Sequence, residues 1–518
     1  GLFVLVVFIS SILDPITWWT FDKYIIASMR DARAFIFKYV QDLDFAFHTE
    51  KSTGALISAF KRGDSAFWSI SNELQEILLL VINYVVLLIS FWFISPRYAV
   101  AAFVFFVINL LSMKFLVSLN IEKRTAFNEE EDRVSSHITD NLINYDTVKF
   151  FAKEEREHVS LMEKFSVWEK ALWGYSYSWR TIEFVTTFNT ILGYVVMLSL
   201  MYFDIKAGRI TIGDFVVVIG FLNSYFPRLT RLLFRLRNIA KSYSDIERYF
   251  DLLDEDIQIK DPIEPVDIKN ITGEVVFKDV TFAYNKGNAV LKNINLTIKP
   301  GESVALVGRS GSGKTTMTKL LLRFFDPQKG TISIDGIDIK EAKKAELRSV
   351  MGVVPQEPIM FNNTIEYNIG YGDDAPTRKK VTAAAQLAHL HDFIMTLPKK
   401  YKTTVGERGI KLSGGQKQRL AIARMMMVNP QIIIFDEATS HLDSESEQLI
   451  QSAFWDISKE KTTIIIAHRL STIQRADRII VLDEGEIVEE GTHEELIKKK
   501  HGHYQMLWKL QTEGLIDR

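Results

Sequence analysis

The residues most able to do chemistry sit in "VALVGRSGSGKTTMTKLLLRFF". An apolar strand-like run leads into Gly308-x4-Gly313-Lys314-Thr315, and an amphipathic helical run follows. Glycines at that spacing let backbone N–H groups of Gly308, Arg309, Ser310, Gly311, Ser312, Gly313 and Thr316 turn toward a polyphosphate, and the helix N-terminus adds partial positive charge. Lys314 is placed to reach the β and γ phosphates and the Thr315 hydroxyl to ligate Mg2+. The cofactors implied are ATP and Mg2+.

Further groups suit the same chemistry. "IIIFDEATS" is an apolar strand ending in Asp436 and Glu437. Asp436 at the strand end would hold the Mg2+ shell, and Glu437 would orient and deprotonate the attacking water. A solvated acidic loop would explain Glu437 alone but not both acids. His468 follows the buried run "IIIAHRL" and could touch a γ-phosphate; a lone histidine there is more often structural, and the set around it favours the site. Gln356, in "GVVPQEP", follows a strand and could sense Mg2+ or water. Tyr284, in "FAYNKG", could stack on a base or simply pack. A second glycine motif, "LSGGQKQRL", places Leu412, Ser413, Gly414, Gly415 and Gln416 at a helix start without a lysine. It offers N–H donors and a dipole but no cationic anchor.

These groups need elements to position them, and the chain falls into two compositions. Its 518 residues carry a net charge of -2 and no cysteine. Bulk charge gives no reason to expect a nucleic-acid partner, and disulfides, thiolate metal sites and thiol chemistry are excluded. Residues 1 to about 240 hold the apolar runs Ile77–Ile94, Tyr98–Leu119, Ile182–Phe203 and Ile212–Phe226, with a shorter one at Gly1–Leu13. Runs near 20 residues match a bilayer core of about 30 Å. Lys and Arg gather in the long segments 14–76 and 120–181, which puts both on the cytoplasmic side. From Gly273, strands such as "GEVVFKDVTFAY", "ESVALVG" and "TTIIIAH" alternate with helical stretches, an α/β pattern. The expected fold is an all-α polytopic membrane domain (1–255), a linker (256–272) and an α/β P-loop nucleotide-binding domain (273–518). The chain opens in apolar sequence without a basic n-region, so a shortened N-terminus is expected rather than a signal peptide.

The order Tyr284, "GRSGSGKTT", Gln356, "LSGGQ", "IIIFDE", "SHLD" and His468 resembles the nucleotide-binding domain of ATP-binding cassette (ABC) transporters over essentially all of 273–518. "TVGERG" (Thr404, Val405, Gly406, Glu407, Arg408, Gly409) resembles the loop with which exporter-type members contact their membrane domain. The fused membrane half resembles the exporter (type IV) half-transporter, six spans before the cassette, of which five are visible and the first is expected to be missing. "FHTEKSTGALIS" (Phe47–Ser58) and "LINYDTVKFFAKEERE" (Leu142–Glu157) are similar to its two coupling segments. The resemblance implies that Leu412–Gln416 close over ATP on another subunit's phosphate loop, with Asp443 along that seam, so that the chain dimerises. His441 departs from the family's usual alanine, and with Glu437 and the signature intact a homodimer is expected over a related half-transporter as partner. It further implies residence in a bacterial plasma (inner) membrane with the cassette in the cytoplasm, and outward movement of a small-molecule or lipid substrate, amphipathic, lipid-like or drug-like. A mitochondrial-type exporter of thiol (glutathione) conjugates is the alternative; a cassette-gated channel or regulator and a soluble cassette ATPase are the others. Asn83, Asn109, Lys114, Glu183, Asn189 and Asn223 lie in or beside the spans, where helix–helix hydrogen bonding and snorkelling compete with cargo contact. Pro227 is expected to kink the last span.

Overall fold

The computed structural model describes the backbone of residues 2–51, 53–268, 270–284, 287–406, 409–436, 444–466 and 473–512. Two compact units divide the chain: residues 1–42 with 52–255, and residues 43–51 with 256–518.

In the first unit the polar stretches between apolar runs are not loops. They are extensions of the same helices: α1 (Leu2–Asp42), α3 (Thr53–Ile94), α4 (Pro96–Ile143), α6 (Glu154–Lys206) and α7 (Ile212–Phe250). Short helices α2 (Phe45–Glu50) and α5 (Tyr145–Phe150) cap the turns between the long ones. Residues 14–76 and 120–181, the long segments between apolar runs, have helix-compatible composition and are mostly helix. The reason is compositional: they contain almost no glycine or proline, so nothing stops a helix once the apolar span has nucleated it. Among the described residues, Ser65–Ile94, Pro96–Ile143 and Glu154–Lys206 are long and apolar enough to cross a bilayer, and Ile212–Tyr225 is a shorter apolar stretch. α7 runs through Pro227 as one element.

α3 lies along α7 and α4 along α6. Tyr84 is sandwiched between Phe106 at 4.4 Å and Tyr225 at 4.9 Å, which joins α3, α4 and α7 around Leu87, Phe91, Met197 and Val218. Farther along, Arg235 of α7 donates to Glu73 at 3.0 Å and to Glu76 at 3.1 Å of α3, while Asn238 donates to the other Glu73 oxygen at 2.9 Å. The turns at the opposite helix ends meet on a buried carboxylate. Asp204 accepts from Tyr98 at 2.9 Å, with Arg97 at 3.6 Å and Arg209 at 3.4 Å. Asn109 spends its amide on the Phe105 carbonyl of its own helix, and Asn189 donates to Ser112 across the α4–α6 pair.

The second unit holds two sheets. The smaller is antiparallel, in the order β2 (Leu291–Ile298), β1 (Val275–Phe282), β4 (Lys329–Ile334), β5 (Ile337–Asp338). The larger runs β10 (Glu486–Gly491), β9 (Arg478–Asp483), β3 (Ser303–Val307), β8 (Thr462–Ile466), β7 (Ile432–Asp436), β6 (Met351–Val354). Only β10 in it is antiparallel. The helices are α8 (Lys314–Leu321), α9 (Lys344–Ser349), α10 (Ile365–Gly370), α11 (Arg378–Leu387), α12 (His391–Thr396), α13 (Gly414–Val428), α14 (Ser444–Ser458), α15 (His493–Lys498) and α16 (His503–Thr512). Strands β3 and β8 are buried at all five positions. That matches the apolar runs Val304–Val307 and Ile464–Ile466 and the covering of both faces in a parallel sheet, with Ser303, Thr462 and Thr463 buried at the strand starts.

β1 enters its sheet through a carboxylate cap. Asp335 accepts from the Thr272 N–H, from the Thr272 hydroxyl at 2.9 Å, and from the N–H groups of Gly273 at 3.1 Å and Glu274 at 2.8 Å. Asp335 itself has φ 49, a region aspartate and asparagine tolerate better than alanine. Asp335→Ala is therefore expected to destabilise this unit by about 2–3 kcal/mol, given charge-assisted bonds lost at a strained residue. Thermal unfolding of the purified chain should show its transition at lower temperature, with Asp335→Asn falling between the two.

Candidate nucleotide-binding site

β3 is flanked by β8 and β9 in parallel register, and the phosphate loop leaves its C-terminal end to start α8. The loop lies against its neighbours closely enough to demand glycine. A Cβ on Gly308 would lie 2.2 Å from the Leu482 carbonyl oxygen of β9. One on Gly313 would lie 2.5 Å from the Leu291 side chain, at φ +105. Lys314 is buried and donates from Nζ to the carbonyls of Gly308 at 2.7 Å and Arg309 at 2.9 Å, spanning the loop from inside. The Ser312 hydroxyl is buried and has no hydrogen-bond partner among the described residues. Thr315, in the first turn of α8, is exposed.

Asp436 ends β7, one strand beyond β8. Burial raises its carboxyl above the usual aspartate range, and the charges of Lys314 and Lys319 pull it partly back. A carboxylate so short of solvation gains from a divalent cation, and its hard oxygen together with the Thr315 hydroxyl is the donor set Mg2+ prefers. Bound there, Mg2+ would neutralise charge on the β and γ phosphates. Tyr284 is 43% exposed, and its hydroxyl lies 3.0 Å from Thr316 Oγ1. Phe325 and Phe282 meet the ring edge-on at 5.2 and 5.1 Å, so it is held at the side of the phosphate loop while part of it stays open.

The second glycine motif begins α13. Ser413 is its N-cap: its hydroxyl accepts from the Gln416 N–H at 3.3 Å, and Gln416 Oε1 accepts from the Ser413 N–H at 2.9 Å. The Gln416 side chain is thereby spent inside the capping box, a role its spacing of three from Ser413 carries. Gly414 is exposed and Gly415 buried. α13 packs beside β6, the edge strand, with β7 and β8 between it and β3. At about 4.8 Å per strand this sets β6 roughly 14 Å from the phosphate-loop strand. The structure thus brings Tyr284, Gly308–Thr316 and Asp436 to one sheet edge and leaves Leu412–Gln416 apart from them.

Gln356 is exposed just past β6, and its carbonyl accepts from Gln418 Nε2 at 2.7 Å. No motif in the sequence singles out Gln418. Its signal was a polar residue three positions after Gly415, on the inward face of α13, where burial obliges a partner. Arg419 and Arg424 belong with it: Arg419 donates to the His389 carbonyl at 2.7 Å, and Arg424 to Asn368 O and Oδ1, each at 2.8 Å. Thr404 and Val405 are pinned to the turn that leads into α10, through an isolated bridge from Thr404 to Thr364 and a bond from the Val405 N–H to the Asn363 carbonyl at 3.1 Å. Gly409 leads directly into the signature, its carbonyl accepting from Leu412 N at 3.0 Å. Glu407, Arg408, Glu437, Asp443 and His468 lie outside the described residues.

A parallel sheet with a phosphate loop at β3, a carboxylate at the end of β7 and a capped glycine motif at its far edge defines the ABC class of nucleotide-binding domain. The ABC transporter model matches residues 291–440, and the ABC transporter transmembrane region matches 1–228. This chain belongs to the ABC transporter family and is an integral, multi-pass membrane protein. It is similar to the iron-sulfur clusters transporter ABCB7, mitochondrial, of Homo sapiens, 37% identical over 499 residues that make up 95% of this chain and 66% of that protein. It is also similar to heavy metal tolerance factor 1 of Caenorhabditis elegans, 35% identical over 497 residues, 93% of this chain and 60% of that protein. The chain thus spans somewhat under two thirds of these relatives' length. A solved structure of a bacterial Atm1-family ABC exporter with ATP bound superposes with a TM-score of 0.86 at 34% identity, over 98% of this chain and 89% of that one.

Gln418→Leu should test the hold on Gln356. One buried oxygen of Gln418 already lacks a partner, so removing the amide costs the fold little, while the exposed Gln356 carbonyl turns to water. With Gln356 expected to sense Mg2+ or water, the expected result is a fall in ATPase kcat of about tenfold, the scale for a lost support of such a group, with KM for ATP changed far less.

Proposed function

We propose that this chain is one half of an ATP-driven exporter in which a second copy completes each ATP site. One observation carries the reading: within one chain the phosphate-loop edge and the signature cap are separated by the width of β8, β7 and β6. Neither edge alone offers both a cation-lined phosphate cradle and a facing N–H cap. Two copies opposed head to tail would supply each cradle with its partner's cap, and ATP would close them. Residues 1–255 act as the transmembrane domain, 256–272 as linker and 273–518 as cassette. Thr315, Gln356 and Asp436 hold Mg2+, Glu437 activates the attacking water, His468 contacts the γ-phosphate, and Asp443 lies along the seam. Thr404–Gly409 and the caps α2 and α5 pass closure to the spans. The exposed apolar side chains around α5, Leu142, Ile143, Phe150 and Phe151, support a docking role for it. The cassette faces the compartment that supplies ATP.

For the cargo, the names of the relatives, heavy metal tolerance and iron–sulfur cluster transport, favour the thiol-conjugate reading over a lipid or drug. Hydrolysis resets the spans after release.

The test is ATPase activity of the full protein reconstituted alone in lipid discs. Wild type should turn over, and Glu437→Gln should bind ATP but lose at least about a hundredfold in kcat, the scale for a lost general base. Oxidised glutathione should stimulate the wild type more than a short-chain phospholipid does. A wild type that binds ATP and stays inert would require a different partner chain, and stimulation by the phospholipid alone would restore the lipid reading.

A further inference from the structure

The cassette unit contains a piece of the membrane half. Leu43–Lys51, which joins α1 to α3, belongs to it. Asp44 accepts from the N–H groups of Gln258 at 2.6 Å and Ile259 at 3.3 Å, which anchors the start of α2. Phe45 then stacks on Phe324 at 4.5 Å with the rings 9° from parallel, and it meets Phe325 edge-on. Phe325 is also the ring that stands edge-on to Tyr284. Beside these rings, at the fifth residue after Lys314 in α8, stands Lys319. Its ammonium lies 5.7 Å from the centroid of Phe45 and 5.7 Å from that of Tyr284. Both distances fall within the reach of a cation–π contact. One ammonium is therefore shared between the ring that borders the phosphate loop and the ring at the head of α2.

We propose that Lys319 is a positioning residue that makes the seating of α2 depend on whether a base is stacked on Tyr284. The proposal rests on the reading of Tyr284 as the base platform. Stacking an electron-poor base on the open face of Tyr284 draws on the same π electrons that hold the ammonium, and it fixes the ring against Thr316 and Phe325. Lys319 shares its charge between two rings, so its balance between Tyr284 and Phe45 shifts with occupancy, and α2 feels the change directly. A lysine suits this better than an apolar residue: its four-carbon stem packs along the aromatic cluster while the charge stays mobile at the tip. No part of this path runs through the γ-phosphate. The ring contacts report the base, whereas Gln356 and Asp436 answer to phosphate and metal; the charge Lys319 also places near Asp436 is present with or without a base, so a comparison of ligands with and without one isolates the ring contacts.

Hydrogen–deuterium exchange on the full protein in lipid discs separates the two. ATP is compared with inorganic triphosphate, which fills the phosphate loop but carries no base. In wild type both should slow exchange at residues 308–316, and ATP should slow residues 43–51 further than triphosphate does. Lys319→Met keeps the stem and removes the charge; with it, residues 43–51 should respond alike to the two ligands while 308–316 remain protected. Lys319→Arg should restore the difference. In parallel, KM for ATP should rise about two- to fivefold in Lys319→Met with a smaller change in kcat. If Lys319→Met keeps the ATP-specific protection of 43–51, or wild type never shows it while 308–316 are protected, the proposal is overturned and the nucleotide site stands. If ATP protects neither segment in wild type, the reading of the nucleotide site itself fails.

Discussion

The phosphate loop depends on a strand with no free edge. β3 is buried at every position and hydrogen-bonded in parallel to β8 on one side and β9 on the other. Its backbone groups are satisfied where water does not reach, so shifting its C-terminal end would break both ladders at once. Gly308 adds to this by closing against the Leu482 carbonyl of β9. The parallel arrangement then puts Asp436, at the same end of β7, on the same edge of the sheet. Brought there, it faces the charges of Lys314 and Lys319. The chemistry needs a fixed cradle for a mobile anion, and the sheet supplies the fixed part.

α13 links two tasks. Its exposed start is closed upon itself by the Ser413–Gln416 capping box, which leaves an uncharged cap rather than a second cation site. Its buried face mixes the core residues Leu420, Ile422 and Met425 with polar side chains that an ordinary core helix would lack. Gln418, Arg419 and Arg424 direct their donors at the carbonyls of Gln356, His389 and Asn368. Burying such groups is costly unless each finds an acceptor, and here the acceptors sit on loops that must keep their shape. The signature and the Gln356 loop are therefore mechanically one piece.

The membrane half solves a different problem. Backbone polar groups in hydrocarbon must be satisfied within the segment, so spans are helices, and the helices simply continue into water where the sequence lets them. Their ends are tied by charge in low-dielectric positions: Asp204 with Tyr98, Arg97 and Arg209 at one end, Arg235 with Glu73 and Glu76 toward the other. Charged side chains in these positions are spent on holding helix pairs together.

By itself the sequence determined the parts whose chemistry is local. A glycine-lysine loop between a buried strand and a helix, an acidic strand end, an N-cap with its glutamine three residues on and runs of 20 apolar residues each dictate their own short-range structure. Periodicity also located β1, β2, β3, β6, β7, β8 and β9. It did not reveal that β1 and β2 form a separate antiparallel sheet, nor the strands β4, β5 and β10, because pairing depends on partners far along the chain and β10, "EIVEEG", is too charged to stand out. Helix α2 begins at Phe45, two residues before the segment the motif suggested, and that shift contains the ring that stacks on Phe324. Gln418, Lys319 and Arg424 look like ordinary helix residues in the sequence. Only the tertiary structure decided that they face a carbonyl or a pair of rings, since a side chain's role is set by what other elements bring within a few ångströms of it.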